Sequence, residues 1–502
     1  MGATLGERAA RSSAYLLVRK LVSYLVRFSA VAVLSRRLSV AEFGLVAIAT
    51  TCINIMVVFG TGGINSWVIY DREPGWEQRG RSAWWLNTVL TTGQAVFACA
   101  VIPIVVLIYD DVALAPILFA LVATFFIEQM GVVPNAVLER HLNFRTAAAR
   151  DIANDVLTGA GGVILALSGM GVWSLVLPRL VLAPIFVLLS MRLARWTPGW
   201  KLHREDWRRI FGYTLPLIAG SVLHVVTNDG DTLMVGRLLG KVVVGFYNTA
   251  YVLANLVGRN VTAVVVQVSL PTIAKIREAT GVLGPPCVRM YRTIALVTTP
   301  LLAGMFAISD DLVLLALGPK WVAATPLLRL FILFTLVRSI TSPSGSIFNV
   351  LGRTDLSLKF YLVLTPMILG AVFIGHYFGV AGVALGVTIV RVIAGLAAFM
   401  VSLRLVDASI AEGLKALVPS TIASAVMAAA VWSTHLWMQS IVPLGARVAM
   451  MAPLGLVLYL VALRLVSAAA FRDLISTAGM MSPKLKRLLR RFTAPAPVAG
   501  GS

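Results

Sequence analysis

The 502-residue chain is 58% hydrophobic and only 13% charged, yet it carries a formal charge of +21 and a mean hydropathy of +0.87. So apolar a composition excludes a soluble globular fold and leaves an all-α integral membrane protein. The positive charge alternates with the apolar runs instead of gathering on one face, which sets nucleic-acid binding aside.

A bilayer core of roughly 30 Å needs about 20 apolar residues per helix, and the sequence supplies about fourteen such stretches. In chain order they are predicted near residues 14–35, 44–69, 83–108, 112–136, 151–169, 172–192, 212–235, 245–270, 289–308, 325–350, 358–378, 381–403, 414–437 and 445–467. Barrel strands would alternate over short segments, so helices are the expected spanning element. The first stretch holds Arg19, Lys20 and Arg27 and lacks a small-residue cleavage site, so it is expected to be a retained helix and not a signal peptide. Every second connection is rich in basic residues: Arg72, Arg79 and Arg81; Arg140, Arg145 and Arg150; Arg192 to Arg209; Lys275 and Arg277; Arg353 and Lys359. The opposite connections hold only Arg36, Arg37, Arg237, Lys241, Lys320 and Arg447, with Asp110-Asp111 and Asp310-Asp311 among them. The positive-inside rule then puts both termini in the cytoplasm, which requires an even number of spans.

The chain also repeats itself. SRRLSVAEFGLVAIATTCIN from Ser35 returns without gaps as GRLLGKVVVGFYNTAYVLAN from Gly236, pairing Arg36 with Arg237, Gly44 with Gly245 and Asn54 with Asn255. Pro134 answers Pro343, and Gly171-Val172 answers Gly379-Val380. Two parallel six-helix lobes are therefore expected, an architecture met in secondary transporters.

Ionisable groups at membrane depth are costly and usually face a bundle interior or water. Arg27, Arg179, Arg259, Arg338 and Arg391 fall within predicted spans, against the acids Glu128, Asp229 and Asp231. A surplus of guanidinium suits an anionic cargo, because its fork matches phosphate oxygens. The plainer alternative is that some arginines pair with those acids or snorkel to the interface. Lys20, Ser23 and Arg27 share one helical face at i, i+3 and i+7, and their repeat partners are Ser221, His224 and Asn228. Asp231 extends the second stripe, whereas Asp229 points elsewhere. The cavity candidates are thus Lys20, Arg27, Arg179, Asn228, Arg259, Arg338 and Arg391. Candidates for ion or proton coupling are Glu128, His224, Asp229 and Asp231. Interhelical hydrogen bonding is the competing role for the serines and Asn228.

Cys52, Cys99 and Cys287 are too scattered for a disulfide framework or metal site, and no Walker loop, dinucleotide fingerprint or zinc HExxH occurs. No cofactor is expected, and a proton or sodium gradient is the energy source to consider. Pro216, Pro271, Pro300, Pro343 and Pro366 lie in or beside spans, as hinges or static kinks. Two amphipathic stretches are expected on the membrane surface: WKLHREDWRRIFGY from Trp200 and PKLKRLLRRF from Pro483.

Several motifs, in order and spacing, carry a family likeness: LSRRLSVAEFGLVAIA, FGTGGINSWVIYD, GVVPNAVLERHLNF, GMGVWSLV, and VGRLLGKVVVGFYNTAYVLANL running on to LPTIAKI. With them the chain, over roughly Tyr15 to Val466, resembles the multidrug/oligosaccharidyl-lipid/polysaccharide (MOP) transporter superfamily, and within it the bacterial Wzx-type flippases. The resemblance implies two six-helix bundles around a central cavity, two further helices, and no catalysis. The divisions would be residues 1–200, 201–405, 406–470 and a basic cytoplasmic tail, 471–502. It further implies transfer of an undecaprenyl-pyrophosphate-linked oligosaccharide across the bacterial cytoplasmic membrane, for exopolysaccharide or lipopolysaccharide O-antigen synthesis. Its partners would be that substrate, membrane lipids, and polysaccharide polymerase and export proteins. The alternatives are a cation-coupled multidrug exporter, a peptidoglycan-precursor flippase and, from another class, a membrane polymerase or glycosyltransferase. The last should show a large loop with catalytic carboxylates.

Overall fold

A computed structural model describes residues 23, 25–58, 63–71, 73–141, 144–199 and 204–481, and among them every regular element is helical. Helix α1 is described over residues 25–37. It is followed by α2 (Val40–Val57), α3 (Ile64–Tyr70), α4 (Trp76–Tyr109), α5 (Leu114–Met130), α6 (Val132–Arg140), α7 (Phe144–Leu167) and α8 (Trp173–Leu193). Next come α9 (Arg204–Leu239), α10 (Lys241–Thr280), α11 (Gly284–Ala307), α12 (Ser309–Ala316), α13 (Thr325–Thr341) and α14 (Pro343–Val350). The described residues continue through α15 (Thr354–Gly375), α16 (Gly379–Leu405), α17 (Ile410–Met438), α18 (Leu444–Val466) and α19 (Ala468–Met481). Among the described residues, nine helical segments are long and apolar enough to cross a membrane, one of them the 52-residue run Thr354–Leu405. Large apolar side chains such as Leu107 and Leu465 lie exposed on helix faces, as lipid-facing surface requires.

The structure departs from the predicted spans at three breaks. The stretch 44–69 divides into α2 and α3, with Gly63 at φ 103° before the second piece, a conformation glycine adopts without a Cβ clash. The stretch 112–136 breaks at Gly131 between α5 and α6, and 325–350 breaks at Ser342 between α13 and α14. The last two breaks stand at the repeat-related Pro134 and Pro343 sites, so a proline that cannot donate to the preceding turn marks both. A fourth departure is α9. From Arg204 on, the expected surface helix and the span 212–235 are one uninterrupted 36-residue helix, which continues through Gly212 and Pro216. The basic stretch from Pro483 lies outside the described residues, and α19 precedes it.

By contact the chain forms two compact units: Met1–Asn248 with Ala316–Trp321 and Val372–Val380, and Thr249–Leu315 with Val322–Ala371 and Ala381–Ser502. The first unit contains the repeat in spatial form. Ser39 caps α2 in a reciprocal box with Glu42, setting the angle of its first turns. A Cβ on Gly44 would overlap the Lys241 carbonyl, and one on Gly245 would overlap the Val40 carbonyl. Residues 40 and 44 pair with 241 and 245 in the sequence repeat, so the N-terminal turns of α2 and α10 seat on each other by the same contact taken twice. Trp321 closes this corner. Its indole donates to the Ser35 carbonyl at 3.0 Å, and Phe43 and Phe246 meet its ring edge-on at 5.2 and 5.8 Å.

Gly44→Val is expected to destabilise the protein by about 1–3 kcal/mol, the usual cost of overpacking. The thermal unfolding midpoint of the purified chain checks this. An unchanged midpoint would mean that the two turns are not held together in the membrane.

The second unit packs α11 against α13, α17 and α18. Tyr291 sits at its centre, fully buried, with its hydroxyl 2.9 Å from Ser344 Oγ and 2.7 Å from Ser402 Oγ. A buried phenol needs such partners. The three hydroxyls bind α11, α14 and α16 together.

Candidate functional site

In the first unit the intramembrane arginines meet carboxylates. Arg27 on α1 donates through Nε and Nη2 to Asp155 Oδ1 on α7, at 3.0 and 2.8 Å. Arg179 on α8 forks onto Glu128 on α5 with two contacts of 2.7 Å. Each pair removes a net charge from the membrane interior, and the bidentate one is also geometrically specific. Asp155 was not among the acids singled out from the sequence. It stands near the predicted start of its span, where a carboxylate attracts no notice.

The α9 stripe makes contacts within its own helix and with α10. Asn228 Nδ2 donates to the His224 carbonyl one turn earlier at 2.7 Å and lies 3.3 Å from its ring Nδ1. Asp231 is buried and accepts from the Tyr247 hydroxyl at 3.0 Å and from the Thr232 amide at 2.8 Å. Asp229 is half-buried on the same helix. Lys20 and the side chain of Arg259 lie outside the described residues.

The second unit brings two candidates together. Arg338 on α13 donates through Nη1 to the Tyr251 hydroxyl at 3.2 Å and to Asn255 Oδ1 at 3.3 Å. Arg391 on α16 donates through Nη1 to the same hydroxyl at 2.9 Å. Both guanidiniums lie against the Phe334 ring, with centroid distances of 5.6 and 5.1 Å, in the range of cation–π attraction. Phe334 stacks on Tyr251 at an interplanar angle of 11°. One phenol oxygen accepting from two cations keeps them adjacent despite their repulsion. Among the described residues, Arg338 meets no carboxylate within ion-pair distance.

Beside this cluster opens a cavity of about 260 Å³ lined by Asn255, Gly258, Thr262, Arg338, Ser339 and Ser342, among others. A Cβ on Gly258 would overlap Ser339 Oγ, so glycine there lets α10 approach α13. Tyr251, Asn255, Gly258 and Thr262 recur at i, i+4, i+7 and i+11, one face of α10.

The two units differ in charge at matching helices. The Pro134–Pro343 correspondence places Gln129 opposite Arg338, one residue past Glu128. The Gly171–Gly379 correspondence aligns α8 with α16. In the interiors of these helices α5 and α8 therefore carry Glu128 with Arg179, whereas α13 and α16 carry Arg338 and Arg391.

Residues 33–326 match the family described as "Polysaccharide biosynthesis protein". The chain belongs to this polysaccharide biosynthesis protein family. Among its relatives is the lipopolysaccharide biosynthesis protein WzxC of Escherichia coli (strain K12), 25% identical over 383 residues, covering 74% of this chain and 76% of that one. Another is the teichuronic acid biosynthesis protein TuaB of Bacillus subtilis (strain 168), 24% identical over 347 residues, covering 67% and 71%. The fold is shared with the lipid II flippase MurJ in an inward closed conformation, at a TM-score of 0.72 and 15% identity over 92% of this chain and 99% of that one. The motif likeness to MOP transporters is borne out, as is the all-α membrane fold. The family assignment rests on residues that precede Arg338 and Arg391, so the arginine cluster is an observation about this chain's own structure. Tyr251 and Asn255, which organise the cluster, were legible only as part of the repeat.

Proposed function

We propose that this protein is a flippase. It moves an undecaprenyl-pyrophosphate-linked oligosaccharide from the inner to the outer leaflet of the bacterial cytoplasmic membrane, for exopolysaccharide or lipopolysaccharide O-antigen synthesis. The observation that carries this reading is Arg338, a guanidinium at membrane depth held by the neutral groups of Tyr251 and Asn255 beside a polar cavity. A central arginine costs about 2.5–3.5 kcal/mol by insertion scales, and a bound phosphate oxygen offsets that cost. The Ser339 hydroxyl can donate to phosphate, while the Thr262 and Ser342 hydroxyls, whose protons go to backbone carbonyls, can accept from a sugar hydroxyl. The lipid tail stays in the bilayer.

Transport proceeds by alternating access between the two repeats, with both termini cytoplasmic and without a chemical step on the cargo. The functions in the names of WzxC and TuaB support the polymer class, and the cargo passes to a polymerase and export proteins. A cationic drug would be repelled by the Arg338 and Arg391 pair, which disfavours the multidrug reading. Deleting the gene in its native host tests the proposal. Loss of surface polysaccharide, with lipid-linked oligosaccharide trapped in the cytoplasmic leaflet, is expected. Normal polymer, with intermediates exposed outside and no redundant flippase, would contradict it.

A further inference from the structure

The two guanidiniums that meet at Tyr251 are not equivalent. Arg338 is half-buried and borders the cavity. Arg391 is 8% exposed, which leaves it too little surface to grip a cargo. Arg338 commits one nitrogen to the protein: Nη1 makes both the 3.2 Å bond to the Tyr251 hydroxyl and the 3.3 Å bond to Asn255 Oδ1. Its Nε and Nη2 make no hydrogen bond among the described residues. Those two nitrogens form an edge that matches a pair of phosphate oxygens. Where that edge points depends on where the Tyr251 oxygen stands.

Tyr251 is held in its turn. Its ring stacks on Phe334 at 11° and meets Phe331 edge-on, with centroids 5.5 Å apart. Its oxygen accepts the shorter bond of the two, 2.9 Å, from Arg391 Nη1. Arg391 Cζ also lies 5.1 Å from the Phe334 centroid and 5.5 Å from that of Tyr251, so it holds the phenol by ring and oxygen together. A buried cation is costly at membrane depth, and an apolar side chain of similar volume commonly packs as well or better. Packing alone therefore gives no reason for a guanidinium at this position.

We propose that Arg391 is a positioning residue. Through the Tyr251 hydroxyl it fixes Arg338 with the Nε–Nη2 edge toward the cavity, where the anionic group of the cargo is gripped. The inference rests on the flippase reading and adds to it a residue that never touches the cargo. An Arg338 that finds the gripping orientation only part of the time binds with an affinity reduced by that fraction. Loss of Arg391 should accordingly weaken capture and spare the step that follows it.

The test measures initial leaflet transfer in vesicles that hold the full chain and undecaprenyl-pyrophosphate-linked oligosaccharide at graded density. The unaltered protein is compared with Arg391→Met, Tyr251→Phe and the double variant. Each single variant is expected to raise the half-saturating density about tenfold, with the maximal rate little changed. The double variant should also show about tenfold, because both changes cut one chain of contacts. A rise of about a hundredfold in the double variant would make Arg391 act by its charge and not through the phenol, and would overturn the proposal. Unchanged half-saturation in either single variant overturns it too, and so does a lower maximal rate at the same half-saturation, the mark of a merely structural role. If Arg391→Met does not insert, Tyr251→Phe decides alone, since it cuts the same chain by losing one oxygen. No transfer by the unaltered chain would overturn the flippase reading and this inference with it, whereas transfer with independent variants overturns this inference alone.

Discussion

Arg338→Glu is expected to abolish transport while the protein still inserts and folds. The substitution places a carboxylate beside Tyr251, Asn255 and the cavity hydroxyls, where the proposal puts a phosphate. Removing one partner of a desolvated charge contact costs about 2–5 kcal/mol, roughly a 30-fold or greater loss of affinity, and charge reversal adds repulsion. Complementation of a deletion strain, with membrane abundance measured alongside, reads the result. Arg338→Lys should recover only part of the activity, because an ammonium keeps the charge but not the planar fork. Full activity in Arg338→Glu would remove the site from the transport path.

Asp311→Ala is expected to have the largest effect on stability. Asp311 in the first turn of α12 is forked by Arg447 on α18, and His435 Nδ1 on α17 lies 3.1 Å from Oδ2, the oxygen that also accepts from Arg447 Nε. All three are buried, with Asp311 at 3%, His435 at 2% and Arg447 at 7% exposure. Arg447 also donates to the Gln439 carbonyl at 3.1 Å, and Gln439 Nε2 reaches His435 Nε2 at 2.9 Å. Deleting one member of a buried ion pair leaves an uncompensated charge and costs about 3–5 kcal/mol. Asp311→Ala should therefore lower the unfolding midpoint sharply. The double substitution Asp311→Ala, Arg447→Met should recover much of the loss, since no charge is then stranded. A double variant as unstable as the single one would show that the triad's value lies in packing.

The helical class, the membrane setting and the repeat were legible because each has a one-dimensional signature: hydropathy, charge alternation, and an ungapped match of Arg, Gly and Asn. The Gly44 and Gly245 pairing shows how far that went, since the residues matched in sequence also make the matching contact. The helix break at Gly131 was not read, because hydropathy does not fall there, whereas the break at Ser342 stands beside Pro343, already marked as a hinge or kink. The partition of arginines was not read either. Whether a guanidinium has a carboxylate depends on which helices pack, and Asp155 lies 128 residues from Arg27. Asp311 and Arg447 were counted as charges of outer connections, although the fold buries them together.

The central claim is that this chain moves an anionic lipid-linked oligosaccharide. Purified protein would be reconstituted into vesicles carrying undecaprenyl-pyrophosphate-linked oligosaccharide, and a membrane-impermeant glycosidase added outside would report the sugar's leaflet over time. The account expects the inner pool to become accessible faster than in protein-free vesicles, with Arg338→Glu matching the protein-free rate. Equal rates with and without the unaltered protein, across imposed ion gradients of either direction, would contradict it.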